Sequence, residues 1–189
     1  MKTPSSSALA VLCACLGGCS IPSGTATIDL EAGIGAPGAP ASENAPEWHP
    51  VADYLDHRCG SLDCHGDTQR NLIIYGCHGL RLDGGVPGCP PPQAPQATPQ
   101  EYAATYESLV GLEPEVMSQV IADHGQDPDM LTFIRKARGE EAHKGGTLID
   151  AGDVQDECLT MWLAGNPDAG ADAAAPWAAV CKEAIATTP

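Results

Sequence analysis

Positive charge is scarce in this chain. Nine Lys and Arg stand against twenty-five Asp and Glu, a formal net charge of -16 over 189 residues. Binding to nucleic-acid phosphates needs clustered Lys and Arg, so this balance argues against nucleic acid as a partner. It remains compatible with a basic redox partner or with cations, and equally with an acidic surface that serves only solvation. Long apolar runs are missing too. The longest candidate, "ALAVLCACL" from Ala8 to Leu16, falls well short of the about 20 residues a transmembrane helix needs. Strand-like alternation and internal repeats are absent, and so is a nucleophile elbow. Ser61 and Asp63 stand close to His65, but neighbouring positions do not make a triad, and the many carboxylates follow no pattern. Enzymatic chemistry is therefore not expected. Length and a 43% apolar content allow one modest domain with tails.

The N-terminus predicts the compartment. Lys2 supplies a small positive region, the apolar stretch follows, and "LGGC" closes it with small residues. Leu16 to Cys19 resembles a bacterial lipobox, which implies acylation of Cys19 as the first mature residue. The alternative is an ordinary cleaved signal peptide. Both readings export the chain, and Ser20 in place of Asp points to the outer membrane by resemblance to lipoprotein sorting patterns. Residues 1–18 are thus read as signal peptide. Residues 19–46, rich in Gly, Ala, Pro and Ser, are read as a flexible lipidated tether. Residues 47–189 remain for the folded domain.

Within that domain the expected class is all-α with long loops. A helix is predicted from about Pro50 to Cys59, followed by a short turn between Gly60 and Gly66 that carries Cys64 and His65. "RNLIIYGCHGLRL" is apolar and read as extended, and the proline-dense stretch after it as a loop. Thr98, Pro99 and Glu101 form a capping-box signature for a helix burying Tyr102, Tyr106, Leu109 and Val110. A shorter helix is expected after Pro114. "DPDMLTFIRKARG" is predicted as one helix, capped by Asp127 and closed by Gly139. Two terminal helices should present Val154, Cys158 and Trp162, and Trp177, Val180, Cys181 and Ala184.

Six cysteines remain once Cys13, Cys15 and Cys19 are assigned to the N-terminal segment. Cys158 and Cys181 lie on apolar stripes of the two terminal helices and are expected to pair, and Cys77 and Cys89 flank the proline-rich loop and could staple it. Cys59 and Cys64 are left, and His65 follows directly. That arrangement suits a c-type haem, in which two thioethers clamp the porphyrin edge and the next imidazole ligates iron, although the usual spacing has two intervening residues and this one has four. A third disulfide between Cys59 and Cys64 is an alternative. So is zinc bound by Cys59, Cys64, His65 and one of Cys77, His78 or Cys89.

The order "CHGD", "GLRLDGG", "YESLVG", "DPDMLTFIRKARG", a glycine-rich loop and "GDVQDECLTMWLAG" resembles planctomycete-type cytochrome c domains over roughly residues 48–165. The resemblance implies a small helical domain with one covalent haem c and an electron-transfer role. It also implies a distal ligand from a loop that in the family carries Met-Pro. This chain has no Met-Pro, and His143 in "AHKGGTLI" stands at the corresponding place. His65 and His143 would then be the axial pair, with Trp162, Leu109, Phe133 and Ile134 lining the haem cavity. A bis-histidine site has a lower reduction potential than one with methionine. His57, His78 and His124 are competing imidazoles, and Met117 and Met130 competing thioethers, these last two more natural as helix core. The class that competes with an electron carrier is a disulfide-stapled structural or binding lipoprotein without cofactor.

Overall fold

The computed structural model describes residues 48–84, 88–91, 94–165 and 175–188. The expected signal peptide, the tether and Cys19 lie outside the described residues. Six α-helices account for the regular structure among them: α1 (His49–Cys59), α2 (Pro99–Val110), α3 (Pro114–Ala122), α4 (Thr132–Ala137), α5 (Val154–Ala164) and α6 (Trp177–Thr187). The fold is all-α. The apolar segment expected to be extended contributes only an isolated bridge between Tyr75 and Leu80, because its backbone bonds go elsewhere. Ile73 N–H donates to Ser108 Oγ and Tyr75 N–H to Thr105 Oγ1, both on α2, so the segment is pinned to a helix rather than to a second strand.

Helix starts follow their local chemistry. Thr98 accepts from the Glu101 N–H at 3.3 Å while the Glu101 carboxylate accepts from the Thr98 N–H at 2.8 Å, so the reciprocal cap forms at α2. Asp153 caps α5 by accepting from Asp156 N–H at 2.7 Å. The single helix expected over 127–139 is broken in two. Asp127 adopts a left-handed conformation (φ 50°) and makes no side-chain cap bond, a 3-10 turn covers Pro128–Met130, and Leu131 is extended. The cap comes instead from Glu113, whose carboxylate accepts from Thr132 N–H at 2.6 Å and Thr132 Oγ1 at 2.8 Å. This break buries Leu131 and leaves Met130 on the surface, against its expected place in the core.

α6 packs on α5 and α1, and α1 also meets α2 and α5. At their junction Trp48 is completely buried. Its ring lies edge-on to Tyr106 with centres 5.2 Å apart and 5.1 Å from Trp162, and its Nε1–H donates to the Tyr102 carbonyl at 3.0 Å. Such aromatic contacts add to area burial, and the hydrogen bond removes the cost of burying the indole N–H. Leu109, Val110, Ile134, Leu159 and Leu163 complete the core around it. Tyr102, Tyr106, Leu109 and Val110 all face inward, as the periodicity of α2 expects, whereas Val154 and Val180 are only partly buried.

Two disulfides staple the described residues: Cys158 to Cys181 between α5 and α6, and Cys77 to Cys89 across the proline-rich loop. These are the pairs the sequence suggests. Replacing both Cys158 and Cys181 with Ala is expected to cost roughly 3 kcal/mol in the chain-entropy model for a loop of this size. Urea titration should show a lower midpoint with a larger m-value, since the change releases the unfolded chain.

Candidate functional site

α1 presents two chemically different faces. His49, Pro50, Asp53 and His57 recur at helical spacing along one, and Tyr54, Leu55, Arg58 and Cys59 along the other. The second face leads to the Cys-His segment. Cys59 is the last residue of α1, and the chain then turns tightly: Cys64 N–H and Gly66 N–H both donate to the Ser61 carbonyl, and His65 N–H donates to the Cys59 carbonyl at 3.0 Å. A Cβ on Gly66 would lie 2.2 Å from the Gly60 carbonyl oxygen, so the turn closes only with glycine there. The turn leaves Cys64 exposed and points Cys59 inward, both as free thiols. Burial pushes the Cys59 thiol up to about 12.

His65 Nδ1 lies 3.0 Å from the Leu72 carbonyl. A carbonyl only accepts, so Nδ1 carries the proton and Nε2 holds the free lone pair. Burial holds this imidazole below the usual histidine range, with His143 and Arg70 adding to the effect against the Leu72 bond. The neutral ring is the ligating form.

His143 reaches the same place from the loop between α4 and α5. That loop is held at both ends. Lys136 Nζ donates to the Ala142 carbonyl at 3.0 Å and pairs with Glu141 at 2.8 Å. Leu148 and Ile149 N–H both donate to the Ala137 carbonyl, and Arg58 donates through Nη2 to the Leu148 carbonyl at 2.8 Å. Gly139 (φ 73°) lets the loop turn back, with Thr147 filling the space a side chain would need. The rings of His65 and His143 end with centres 5.8 Å apart and planes 19° from parallel. His143 Nδ1 faces the Gly146 carbonyl at 3.4 Å, a longer version of the His65 arrangement.

Beside this pair lies a cavity of about 40 Å³ lined by Tyr54, Leu55, Cys59, Phe133, His143 and Leu159 among others. Of the four side chains expected to line a haem cavity only Phe133 borders it; Trp162, Leu109 and Ile134 are in the central core. The alternative constellations are not formed. Cys59 and Cys64 make no third disulfide. Nor do they join His65 in a compact metal set: among the described residues the group of three whose ligand atoms lie within 4.8 Å of one another is Cys77, His78 and Cys89, and two of its members are joined by a disulfide.

The first face of α1 borders a larger groove, about 810 Å³, that sequence reasoning did not find. Its walls include His49, Asp53, His57, His78, Cys89 and Lys182. The signal was available as the i, i+4, i+8 spacing of His49, Asp53 and His57, but the opposite wall comes from residues remote in sequence. Asp53 accepts from Tyr102 Oη at 2.7 Å. Burial lifts its carboxyl to about 6, the Tyr102 bond opposing and the nearby Asp56 assisting. His57 is held below the ordinary histidine range, chiefly by burial and then by the adjacent His78.

The Asp53 shift makes stability depend on pH. Between 3.8, the unperturbed value, and about 6 the folded state binds more protons at this carboxyl than the unfolded chain, so its contribution falls as pH rises through that window. Asp53→Asn keeps an acceptor for Tyr102 and removes the charge. Thermal unfolding should show the variant more stable than the parent at pH 7 and no different near the lower end of the window; a less stable variant at pH 7 would contradict the assignment.

No helix among the described residues is long and apolar enough to cross a membrane. Comparison with protein-family profiles, with curated proteins and with solved structures gave no match.

Proposed function

We propose that this chain is an exported, lipid-tethered electron carrier with one haem c bound through Cys59 and Cys64 and ligated by His65 and His143. The observation that carries the reading is the convergence of the two imidazoles, one from the turn after α1 and one from a loop about eighty residues on. Two imidazoles on opposite sides of one metal, each nitrogen about 2 Å from it, have ring centres roughly 6 Å apart. The observed separation is 5.8 Å. Each Nδ1 faces a backbone carbonyl, the outer contact that orients a ligating histidine and raises its basicity. Two unpaired thiols stand just before His65, in a protein whose other described cysteines are paired.

The donor set therefore fits a haem c. The enclosed space is a separate matter, since pockets that hold ligands of drug size run to about 300–1,000 Å³, against about 40 Å³ beside His143. The cavity beside His143 is too small to enclose a porphyrin. The thiols of Cys59 and Cys64 would anchor the ring by two covalent bonds, and His65, fixed by Leu72, would supply the proximal nitrogen. When bound, haem supplies reversible one-electron exchange. With His65 and His143 both as ligands, the site would suit electron transfer rather than binding of dioxygen. The net charge of -16 favours encounter with a partner that presents basic surface. Cys19 would carry the lipid that holds the domain at the envelope.

A second reading draws on the small size of that cavity: a disulfide-stapled lipoprotein of the same fold, packed without a cofactor. One experiment separates them. Protein exported from a host with cytochrome maturation machinery should stain for haem on a denaturing gel, and Cys59→Ser with Cys64→Ser should abolish the stain. Colourless wild-type protein, with a mass accounted for by polypeptide and acyl chains, would end the proposal. In the haem-loaded protein, His143→Met should raise the midpoint potential by on the order of 100 mV, a fraction of the range of about 0.8 V that axial ligands span. An unchanged potential would remove His143 from the ligand set.

A further inference from the structure

The haem reading makes no use of the groove on the other face of α1. Its volume of about 810 Å³ lies in the range of about 300–1,000 Å³ that small-molecule sites occupy. Pro50, Pro90, Pro95 and Ile185 give it apolar walls, and Asp53 borders it beside Tyr102. Tyr102 is held firmly. Its ring stacks on that of His49 with centres 3.9 Å apart and planes 12° from parallel, and its hydroxyl accepts from the Gln96 N–H at 3.1 Å while donating to Asp53 at 2.7 Å.

Asp53 has hydrogen bonds but no counter-ion. Tyr102 Oη and the Gln96 backbone N–H serve it, which leaves acceptor capacity on a group that takes about four bonds when ionised. None of the ion pairs among the described residues includes it. The rest of the chain offers little. Apart from Lys2, in the expected signal peptide, every Lys, Arg and His lies among the described residues. Arg58 donates to the Leu148 carbonyl, and Arg70, Arg81, Arg135, Lys136 and Arg138 pair with other carboxylates. Lys182, exposed on α6, borders the groove without pairing with Asp53. His57 is kept neutral by burial. The groove therefore presents a half-buried anion whose charge the protein does not balance.

We propose that this groove binds an organic cation, a small molecule with one protonated amine and an aromatic or other apolar body. The ammonium group donates to Asp53 and supplies the missing positive charge, while the body lies against Pro50, Pro90, Pro95 and Ile185. A hydrogen bond between two charged groups is stronger than a neutral one, and partial removal from water strengthens it further. An anionic ligand would meet Asp53 with only Lys182 in its favour. A neutral ligand would leave the carboxylate uncompensated. Binding is noncovalent and independent of the haem reading, since the groove and the Cys-His turn belong to different faces of α1.

The test is calorimetric titration of the full chain with Cys19→Ser, so that no acyl chain is attached. The probes are tryptamine and phenethylamine, each set against its neutral counterpart, tryptophol and 2-phenylethanol. At least one amine should bind at a single site with Kd below about 1 mM, and at least about tenfold more tightly than its alcohol, the scale of a hydrogen bond to a charged group. Asp53→Asn should bring amine and alcohol level, which also separates this site from any amine taken up at a haem iron. Lys182→Glu, at an exposed position, should tighten amine binding at low ionic strength, and added salt should erase the gain. Lowering the pH through about 6 should weaken amine binding as Asp53 takes up a proton. His57, His78, Asp56 and Lys182 act on the ligand in parent and variant alike, so the Asp53 effect is read as the difference between parent and Asp53→Asn. No amine bound in that range, equal affinity for amine and alcohol, an undiminished preference in Asp53→Asn, or no tightening in Lys182→Glu would overturn the proposal. Tighter binding of Nα-acetyl-lysine methylamide than of either aromatic amine would assign the groove to a protein side chain and overturn it as well.

Discussion

The indole of Trp48 is the contact on which the rest of the structure depends. It precedes α1 by one residue, packs against Tyr106 of α2 and Trp162 of α5, and hydrogen-bonds to the backbone at Tyr102. One side chain thus fixes where α1 begins relative to two other helices. Truncating a buried Trp of this kind typically costs about 3–5 kcal/mol, a large share of the stability of a small domain. Every candidate functional group described above is placed by α1 directly or by the turn and loops tied to it, so the position of that helix is the position of both sites.

Buried polar groups refine the arrangement that apolar packing begins. Asp156, at the start of α5, accepts from Arg138 Nε and Nη2 at 2.9 Å each and from the Gly152 N–H at 2.9 Å. Glu101, also buried, closes its helix cap while accepting from Arg81 Nε at 2.8 Å and Leu82 N–H at 3.0 Å. A buried ion pair is weak evidence for stability and costly to break one-sidedly. Here each carboxylate joins a helix terminus to a loop: Arg138 and Asp156 bracket the loop that carries His143, and Arg81 and Glu101 bracket the proline-rich one.

Much of this was legible in the sequence, for reasons specific to each element. The α2 start was readable because Thr98, Pro99 and Glu101 act within four residues, and the stripes carrying Cys158 and Cys181 because helix periodicity is local. The break at Leu131 was not, since the helix start after it is capped by Glu113, nineteen residues before Thr132. The bond from Arg58 to Leu148, the pinning of residues 73 and 75 to α2, and the groove walls likewise depend on partners distant in sequence, which no window of local pattern contains. His143 could be singled out only by its place in an inferred loop.

The bond from Arg58 to the Leu148 carbonyl has a geometric corollary. Arg58 and Cys59 are consecutive on α1, so the latch for the loop bearing His143 and the Cys59 thiol are carried by a single turn of helix. Any small rotation or slide of α1 moves both together, and their mutual alignment is insulated from adjustments elsewhere in the packing. The two halves of the site, though separated by most of the domain's chain length, share one mechanical reference.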